Sequence, residues 1–302
     1  MKKLIVTISL ILFFFIFGRA QSEGFAQSEG VKIHYQTFGK GKSILIINGG
    51  PGFSSEGFVP LAKELAKDYQ TILYDQRGTG QSKLFPLDST TITMELMTND
   101  IEALRKHLQI GSWMVLGHSF GGMMGNYYTA QHPERVVALI ESSSGGIDLD
   151  LLNSNGITSR LTAKEQDSLT FWTTRIREGD TSSFAAYQRA KYLAPAYLYY
   201  DKHLPVVAKR LTQGNLDLNR MVWTDLQRIR YNLVHDLKNF NKPVLILQGA
   251  EDVLSLQTAR KMHETFPNSK LVILEKCGHY GWLDQEEKYY SEIRSFISSI
   301  HK

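Results

Sequence analysis

The chain contains 302 residues, of which 42% are hydrophobic, and this composition supplies enough apolar side chains for a large packed core. The formal charge is +4, but Lys2, Lys3 and Arg19 lie within the first twenty residues, which leaves only +1 for the rest of the chain. So balanced a charge argues against a protein that binds nucleic acid by electrostatic attraction. The single cysteine, Cys277, excludes an intrachain disulfide.

The first twenty residues have the layout of a secretory signal. A basic start is followed by an apolar run over residues 4–17 and by small residues on both sides of Arg19. The apolar run is shorter than the roughly 20 residues that span a bilayer, which disfavours the alternative of a retained membrane anchor. We therefore predict a periplasmic or secreted protein that is cleaved before Gln21 and has no stable membrane insertion after cleavage.

Beyond residue 20, apolar strands alternate with helical patterns. The predicted strands cover residues 24–27, 31–38, 43–48, 71–75, 113–116, 136–140, 243–248 and 270–274, and the predicted helices cover residues 58–67, 91–108, 123–132, 256–265 and 285–300. The repeated order of strand, helix and strand predicts a mostly parallel central sheet that is flanked by helices on both faces.

The alternation stops between residues 145 and 241. This stretch is helical, aromatic and charged, and it contains no strand pattern. We predict an α/β core made of residues 21–144 and 242–302, with residues 145–241 inserted as a helical cap.

The central motif is Gly-His-Ser-Phe-Gly at residues 117–121, between a predicted strand and a predicted helix. In a nucleophile elbow the serine occupies a sharp, strained turn from strand to helix, and the residues two positions away must be small to avoid a clash. The flanking patterns supply this structural context. We therefore predict that Ser119 is a nucleophile.

A serine hydroxyl needs a base that removes its proton and an acid that orients the base. The loops after the last two predicted strands carry Asp252 and His279, and the carboxyl ends of parallel strands meet at one edge of a sheet. The chain order of serine, acid and histidine is the one expected for an α/β-hydrolase. We predict His279 as the base and Asp252 as the acid, with Glu251 and Glu141 as competitors of Asp252.

The reaction also needs donors for the negative charge that develops on the carbonyl oxygen. The backbone N–H of Phe120 follows the nucleophile directly. The second predicted donor is the N–H of Gly50, in the glycine-rich loop at residues 48–52, where the backbone can approach a substrate closely. Phe120 and Gly50 are therefore the predicted oxyanion hole.

These motifs together resemble the α/β-hydrolase fold superfamily, and most closely the proline iminopeptidase group. The resemblance covers residues 24–145 and 242–300. Its specific part is the combination of Asn-Gly-Gly-Pro-Gly at residues 48–52 with Asp-Gln-Arg-Gly-Thr-Gly-Gln-Ser at residues 75–82. Asn48 stands where the loop of that family usually begins with histidine.

The resemblance implies an aminopeptidase that releases an N-terminal residue, often proline, from peptides through an acyl-enzyme. Such an enzyme has to pair the ammonium group of its substrate with carboxylates in a partly desolvated pocket. The cap residues Glu165, Trp172 and Glu178 are the candidates for this substrate-binding role, although their spacing is not that of the family motif.

Two other functions remain open. One is an esterase or lactonase that acts on a small molecule, and the other is a non-catalytic binding protein on a hydrolase scaffold, which the complete triad disfavours. No His-Glu-x-x-His motif and no clustered Cys/His spacing occurs, so neither a metal nor a cofactor is expected. The expected partner is a small peptide, ester or amide substrate, and the sequence indicates no oligomeric state.

Overall fold

The central sheet has eight strands. The computed structural model describes residues 21–152 and 156–300, so the predicted signal at residues 1–20 lies outside the described residues. The strands are β1 (Gln21–Ser28), β2 (Val31–Phe38), β3 (Ser43–Ile47), β4 (Gln70–Tyr74), β5 (Trp113–His118), β6 (Val136–Ser142), β7 (Val244–Gly249) and β8 (Ser269–Leu274). Their order in the sheet is β1-β2-β4-β3-β5-β6-β7-β8.

The sheet is mostly parallel, as predicted. Strand β2 pairs antiparallel with both β1 and β4, and all other neighbouring strands pair parallel. Strand β2 alone therefore runs against the other seven. This arrangement confirms the predicted class of a mostly parallel sheet with helices on its faces.

Eleven α-helices accompany the sheet within the described residues. They are α1 (Val59–Leu65), α2 (Met94–His107), α3 (Phe120–Gln131), α4 (Ala163–Arg177), α5 (Ser183–Leu193), α6 (Leu204–Leu211), α7 (Leu216–Arg228), α8 (Val234–Leu237), α9 (Leu256–Thr265), α10 (Gly281–Asp284) and α11 (Glu286–Ser299).

The sheet divides the hydrophobic core into two layers. Along β3, Leu45 and Ile47 point into the layer that contains α2, α3 and α9, whereas Ile44 and Ile46 point into the layer that contains α1 and α11. All four side chains are fully buried. Because full burial of such a side chain contributes about 1.5–3 kcal/mol, the continuous apolar run anchors the middle of the sheet.

Two helix starts differ by three residues from the sequence predictions. Helix α2 begins at Met94 instead of residue 91, because the Thr93 side chain accepts a hydrogen bond from Leu96 N at 3.2 Å and caps the helix. Helix α3 begins at Phe120 instead of residue 123. The turn at Ser119 passes directly into the helix, so no loop separates the nucleophile motif from α3.

The chain between β6 and β7, here called the insertion, contains helices α4 to α8. Its C-terminal part is tied to the core, because Leu218, Val222 and Leu226 of α7 pack in the same layer as α2 and α3. Asp225 also accepts a hydrogen bond from Met94 N at 2.8 Å. The division into a core and a cap at residues 145 and 241 remains a prediction. Across residues 21–152 and 156–300, no helix combines the length and the apolar character that crossing a bilayer requires.

Candidate active site

Ser119 occupies a strained turn between β5 and α3. Its backbone angles are φ 55° and ψ −121°, a conformation that non-glycine residues rarely adopt. Such strain costs on the order of 1–3 kcal/mol and persists where the surroundings hold it. Here Ser119 N donates to Ser142 O at 3.1 Å, and Ser119 O accepts from Gly122 N and Gly145 N, both at 2.9 Å. These backbone bonds hold the serine at the carboxyl edge of the sheet.

The glycines around Ser119 are required by close backbone contacts. A Cβ atom on Gly117 would lie 2.5 Å from Gly121 O, and one on Gly121 would lie 2.1 Å from Ile47 O. A Cβ atom on Gly49 would lie 2.7 Å from Cβ of Ser119, so the loop after β3 packs directly on the turn. The Gly-x-Ser-x-Gly spacing therefore follows from the packing of β3, β5 and α3.

His279 and Asp252 form a buried pair in the loops after β8 and β7. His279 Nδ1 lies 2.8 Å from Asp252 Oδ1, and the Asp252 side chain is fully buried. The carboxylate also accepts hydrogen bonds from Leu254 N at 3.0 Å and from Gln248 Nε2 at 2.8 Å. Because a carboxylate can only accept a hydrogen bond, the imidazole donates from Nδ1. The lone pair of Nε2 is then free, so the imidazole can act as a base.

The two competing carboxylates do not contact His279. Glu251 Oε2 accepts a hydrogen bond from Cys277 N at 3.0 Å. Glu141 lies on β6 beside Gly117 and is fully buried. Its removal from water raises the pKa of Glu141 to about 8. Asp252 is therefore the carboxylate that the fold brings to the histidine.

The two predicted oxyanion donors lie beside the serine. Gly50 and Phe120 line one cavity together with Ser119 and His279. Phe120 is the first residue of α3, where backbone N–H groups have no partner within the helix and the helix dipole favours negative charge. Gly50 adopts a φ of 72°, and its carbonyl accepts a hydrogen bond from Phe53 N at 3.0 Å.

Buried polar side chains hold the loop that contains Gly50. Asn48 Nδ2 donates to Phe53 O at 3.2 Å, and Gln76 Nε2 donates to Asn48 O at 2.8 Å. Asp75 Oδ1 accepts from Ser55 N at 2.9 Å and from Ser55 Oγ at 2.8 Å. The segment at residues 75–82 thus supports the loop at residues 48–52, here called the oxyanion loop after its predicted role.

A cavity of about 650 Å³ opens from Ser119. Its insertion side is formed by α7, which presents Asn219, Trp223 and Gln227 at a spacing of four residues, so these side chains share one helix face. The apolar wall is formed by Met123, Leu149, Leu152, Ile157, Val253 and Leu254. Among the described residues that line the cavity there is no aspartate and no glutamate.

The three predicted substrate-binding residues of the insertion lie elsewhere. Glu165 forms a capping box with Thr162 at the start of α4, and Glu178 is exposed at the end of that helix. Trp172 packs edge-on against its neighbours Phe171 and Phe184. None of the three candidates lines the cavity at Ser119, so the structure does not support a substrate-binding role for them.

The sequence interpretation missed the α7 face. The one signal in the sequence was that Leu218, Val222 and Leu226 recur every four residues, a spacing typical of a helix face that packs on a core. The residues that follow each of them, Asn219, Trp223 and Gln227, then lie on an adjacent face of the helix. That face became recognisable only when the structure placed it over the nucleophile.

Comparison with known proteins agrees with this architecture. A family model described as the alpha/beta hydrolase fold matches residues 42–286. The chain belongs to the α/β-hydrolase fold family. The proline iminopeptidase of Saccharolobus solfataricus is similar, with 25% identity over 299 residues that cover 92% of this chain and 93% of the relative.

Solved structures show the same fold at lower identity. The proline iminopeptidase of Mycobacterium smegmatis superposes with a TM-score of 0.70 at 18% identity, covering 92% of this chain and 98% of that one. A thermophilic esterase from Thermogutta terrifontis superposes with a TM-score of 0.71 at 19% identity, covering 93% and 100% of the two chains. Proteins named for peptide and for ester hydrolysis therefore share this α/β-hydrolase scaffold.

Proposed function

We propose that this protein is a serine hydrolase that acts through an acyl-enzyme at Ser119. The observation that carries the proposal is the placement of the strained Ser119 turn, the His279–Asp252 pair and two backbone donors around one cavity. A strained turn lowers the stability of the folded state. Folded proteins retain such strain mainly where the surrounding structure holds it and the function requires it. The complete set also argues against a merely non-catalytic binding protein.

The geometry implies a two-step reaction. His279 Nε2 takes the proton of Ser119 Oγ as the oxygen attacks the substrate carbonyl carbon, and Asp252 stabilises the imidazolium that forms. The N–H groups of Gly50 and Phe120 receive the oxyanion, a contribution of about 10²–10³ in rate for one such donor. His279 then protonates the leaving group. In the second step it removes a proton from a water molecule, whose oxygen attacks the acyl carbon. The bond from that carbon to Ser119 Oγ then breaks, His279 returns the proton to Oγ, and the acid is released.

We propose that the large cavity receives an uncharged, apolar part of an ester, lactone or similar small substrate. An ammonium group buried there would have no carboxylate partner among the described lining residues, and residues 153–155, which are Asn-Ser-Asn, supply none either. Because an unpaired buried charge is strongly unfavourable, the lining suits neutral groups. The structurally similar protein from Thermogutta terrifontis is an esterase, which is consistent with this substrate class.

An aminopeptidase of the proline iminopeptidase type is the second candidate. It is favoured by the similarity to proline iminopeptidases, which extends over 92% of the chain. In this case the side-chain oxygens of Asn219 and Gln227 on α7 are the available acceptors for an N-terminal amine.

The nucleophile and the substrate class are tested separately. A fluorophosphonate probe is expected to label the wild type and not Ser119→Ala, and equal labelling of the two would refute the mechanism. Turnover of aryl esters and lactones is then compared with that of prolyl and other aminoacyl arylamides. Esters or lactones are expected to be the better substrates. Faster cleavage of the arylamides would reject the ester proposal in favour of the aminopeptidase.

We also propose that the protein is exported and cleaved before Gln21. The basic start, the apolar run and the small residues of segment 1–20 support export. N-terminal sequencing of the protein recovered from the periplasm or the medium is expected to begin at Gln21. A chain that retains Met1 in the membrane fraction would contradict the proposal.

A further inference from the structure

Arg210 of α6 is buried against the oxyanion loop. Its side chain donates from Nη2 to Gly49 O at 2.8 Å and from Nη1 to Ser54 O at 3.3 Å. The guanidinium carbon lies 5.2 Å from the ring centre of Phe53 and 4.7 Å from that of Phe58. The insertion thus places a cation directly behind the loop that carries Gly50.

The charge of Arg210 has no anionic partner in the part of the chain that the structure describes. Its side chain donates to two backbone carbonyls, and the hydroxyl of Tyr280, which lies nearby, is also neutral. Burial lowers the pKa of Arg210, but a guanidinium remains protonated in proteins. Removing an ion from water costs several kcal/mol, which an ion pair usually offsets. Arg210 is therefore a buried cation that has no ion pair among the described residues to offset this cost.

Arg210 lines a small compartment that reaches the nucleophile. This second cavity has a volume of about 80 Å³, and its polar lining includes Arg210, Tyr280, Ser119 and His279. It shares Ser119 and His279 with the cavity of about 650 Å³. The two spaces therefore meet at the nucleophile, and a substrate carbonyl at Ser119 can extend one substituent into each.

We propose that the small compartment is a carboxylate subsite, in which Arg210 pairs with an anionic group of the substrate and Tyr280 contributes its hydroxyl. This inference rests on the proposed serine hydrolase and deepens it. A guanidinium has five N–H donors in a planar fork, and the hydrogen bonds to Gly49 O and Ser54 O leave donors for a carboxylate.

The dimensions set the position of that carboxylate. A volume of about 80 Å³ corresponds to roughly two or three water-sized groups. The compartment thus accepts a carboxylate that is joined to the scissile carbonyl by a short link, and the apolar remainder of the substrate occupies the large cavity. The predicted substrate class is a small acidic ester or amide.

Binding to Ser119→Ala tests the subsite without turnover. The probes are monomethyl succinate, which carries a carboxylate, and methyl succinamate, its neutral amide of the same size, each titrated by calorimetry. Monomethyl succinate is expected to bind at least about tenfold more tightly, since a charge-assisted hydrogen bond contributes about 1.5–3 kcal/mol. Adding Arg210→Gln is expected to abolish the preference, and adding Arg210→Lys is expected to keep part of it.

The matched control is Arg220→Gln, also in the Ser119→Ala protein. Arg220 is an exposed arginine of α7 that pairs with Asp217, and its replacement is expected to leave the preference unchanged. If Arg210→Gln fails to fold, Tyr280→Phe provides the second test. This variant is expected to weaken the binding of monomethyl succinate and to leave the binding of methyl succinamate unchanged.

Three results would overturn the subsite. These are equal binding of the two probes, no binding of either, or equal weakening of both by Arg210→Gln, which would assign Arg210 a purely supporting role for the loop. None of them bears on the nucleophile, which the fluorophosphonate labelling of the wild type tests independently.

Discussion

The carboxyl edge of the sheet and the insertion contribute to the site in different ways. At the sheet edge, the position of Ser119 is set by backbone contacts, and a single added Cβ atom at Gly117 or Gly121 would collide with main-chain atoms. In the insertion, the contribution comes from side chains such as Trp223 and Arg210, whose helices have ordinary geometry.

This difference separates the reaction from its substrate. Main-chain contacts allow few alternatives, because the Ser119 turn packs directly on the end of β3 and on Gly49, so a shift there would move the nucleophile relative to Gly50. The exposed ends of side chains on helices can change without disturbing the sheet. We therefore expect changes at the sheet edge to affect catalysis and folding, and changes on the insertion to affect the choice of substrate.

The largest effect is expected for Asp252→Asn. An amide can donate to Nδ1 and select the wrong tautomer of His279, so kcat should fall about 10⁴-fold with little change in stability. The adjacent Glu251→Gln is the matched control, because Glu251 bonds Cys277 N and not the histidine. Steady-state kinetics on one aryl ester checks both variants. Comparable losses in the two would show that the acid has been assigned to the wrong residue.

Glu141→Gln tests the buried carboxyl of the sheet edge. Its pKa of about 8 in the folded protein lies above 4.5, its value without burial, so the native state binds the proton more tightly than the unfolded chain. The free energy of unfolding should therefore fall as the pH rises from about 4.5 through 8. A pKa difference of this size between the folded and unfolded states corresponds to several kcal/mol. Glu141→Gln should remove this slope and be more stable than the wild type at pH 8. Urea unfolding at several pH values measures the free energy of unfolding of both proteins. The same dependence on pH in the wild type and in Glu141→Gln would contradict the prediction.

Gly121→Ala tests the backbone constraint at the nucleophile. The new Cβ would lie 2.1 Å from Ile47 O, so β3 or α3 must move, and we expect a loss of about 3 kcal/mol in the free energy of unfolding. Gly111→Ala is the control, because no atom lies within 4 Å of the corresponding Cβ position. Urea denaturation distinguishes the two variants. A Gly121→Ala protein as stable as Gly111→Ala would show that the turn tolerates displacement.

The smallest effect is expected on the insertion. Trp223→Ala should lower kcat/KM for esters with long acyl chains about tenfold, since it removes apolar contact area from the cavity, and should leave acetate esters nearly unaffected. Trp172→Ala is the control, because Trp172 packs on Phe171 and Phe184 away from the cavity. A series of acyl chain lengths measures the difference. The same dependence on chain length in both variants would contradict the assignment of the α7 face.

Much of the sheet edge was predictable from the sequence, because its signals are local. The apolar run of β3 marks a strand buried on both faces, and the glycines at positions 117 and 121 mark a turn that excludes side chains. Asp252 and His279 follow strand ends, and parallel strands bring such ends to one edge. The helix starts were less predictable, since the cap at Thr93 and the immediate start of α3 depend on hydrogen bonds of single residues.

The substrate side was not predictable in the same way. Glu165, Trp172 and Glu178 have residue types suited to binding an ammonium group, but the packing of α4 directs them away from the cavity. Arg210 carried no signal in the sequence, because an arginine in the last turn of a short helix usually faces solvent and favours the helix dipole there. Only its burial against Gly49 and Ser54 in the folded structure indicates a role near the site.

The sequence by itself determined the α/β class, the strand ends and the order of Ser119, Asp252 and His279, because periodicity and glycine spacing express the local geometry of the backbone. Only the tertiary structure decided which face of α7 covers the nucleophile, which acid bonds His279, and that Arg210 is buried without an anion. The physical reason is that these properties depend on contacts between residues far apart in the chain. Arg210 and Gly49, for example, are separated by 161 positions and joined by one hydrogen bond.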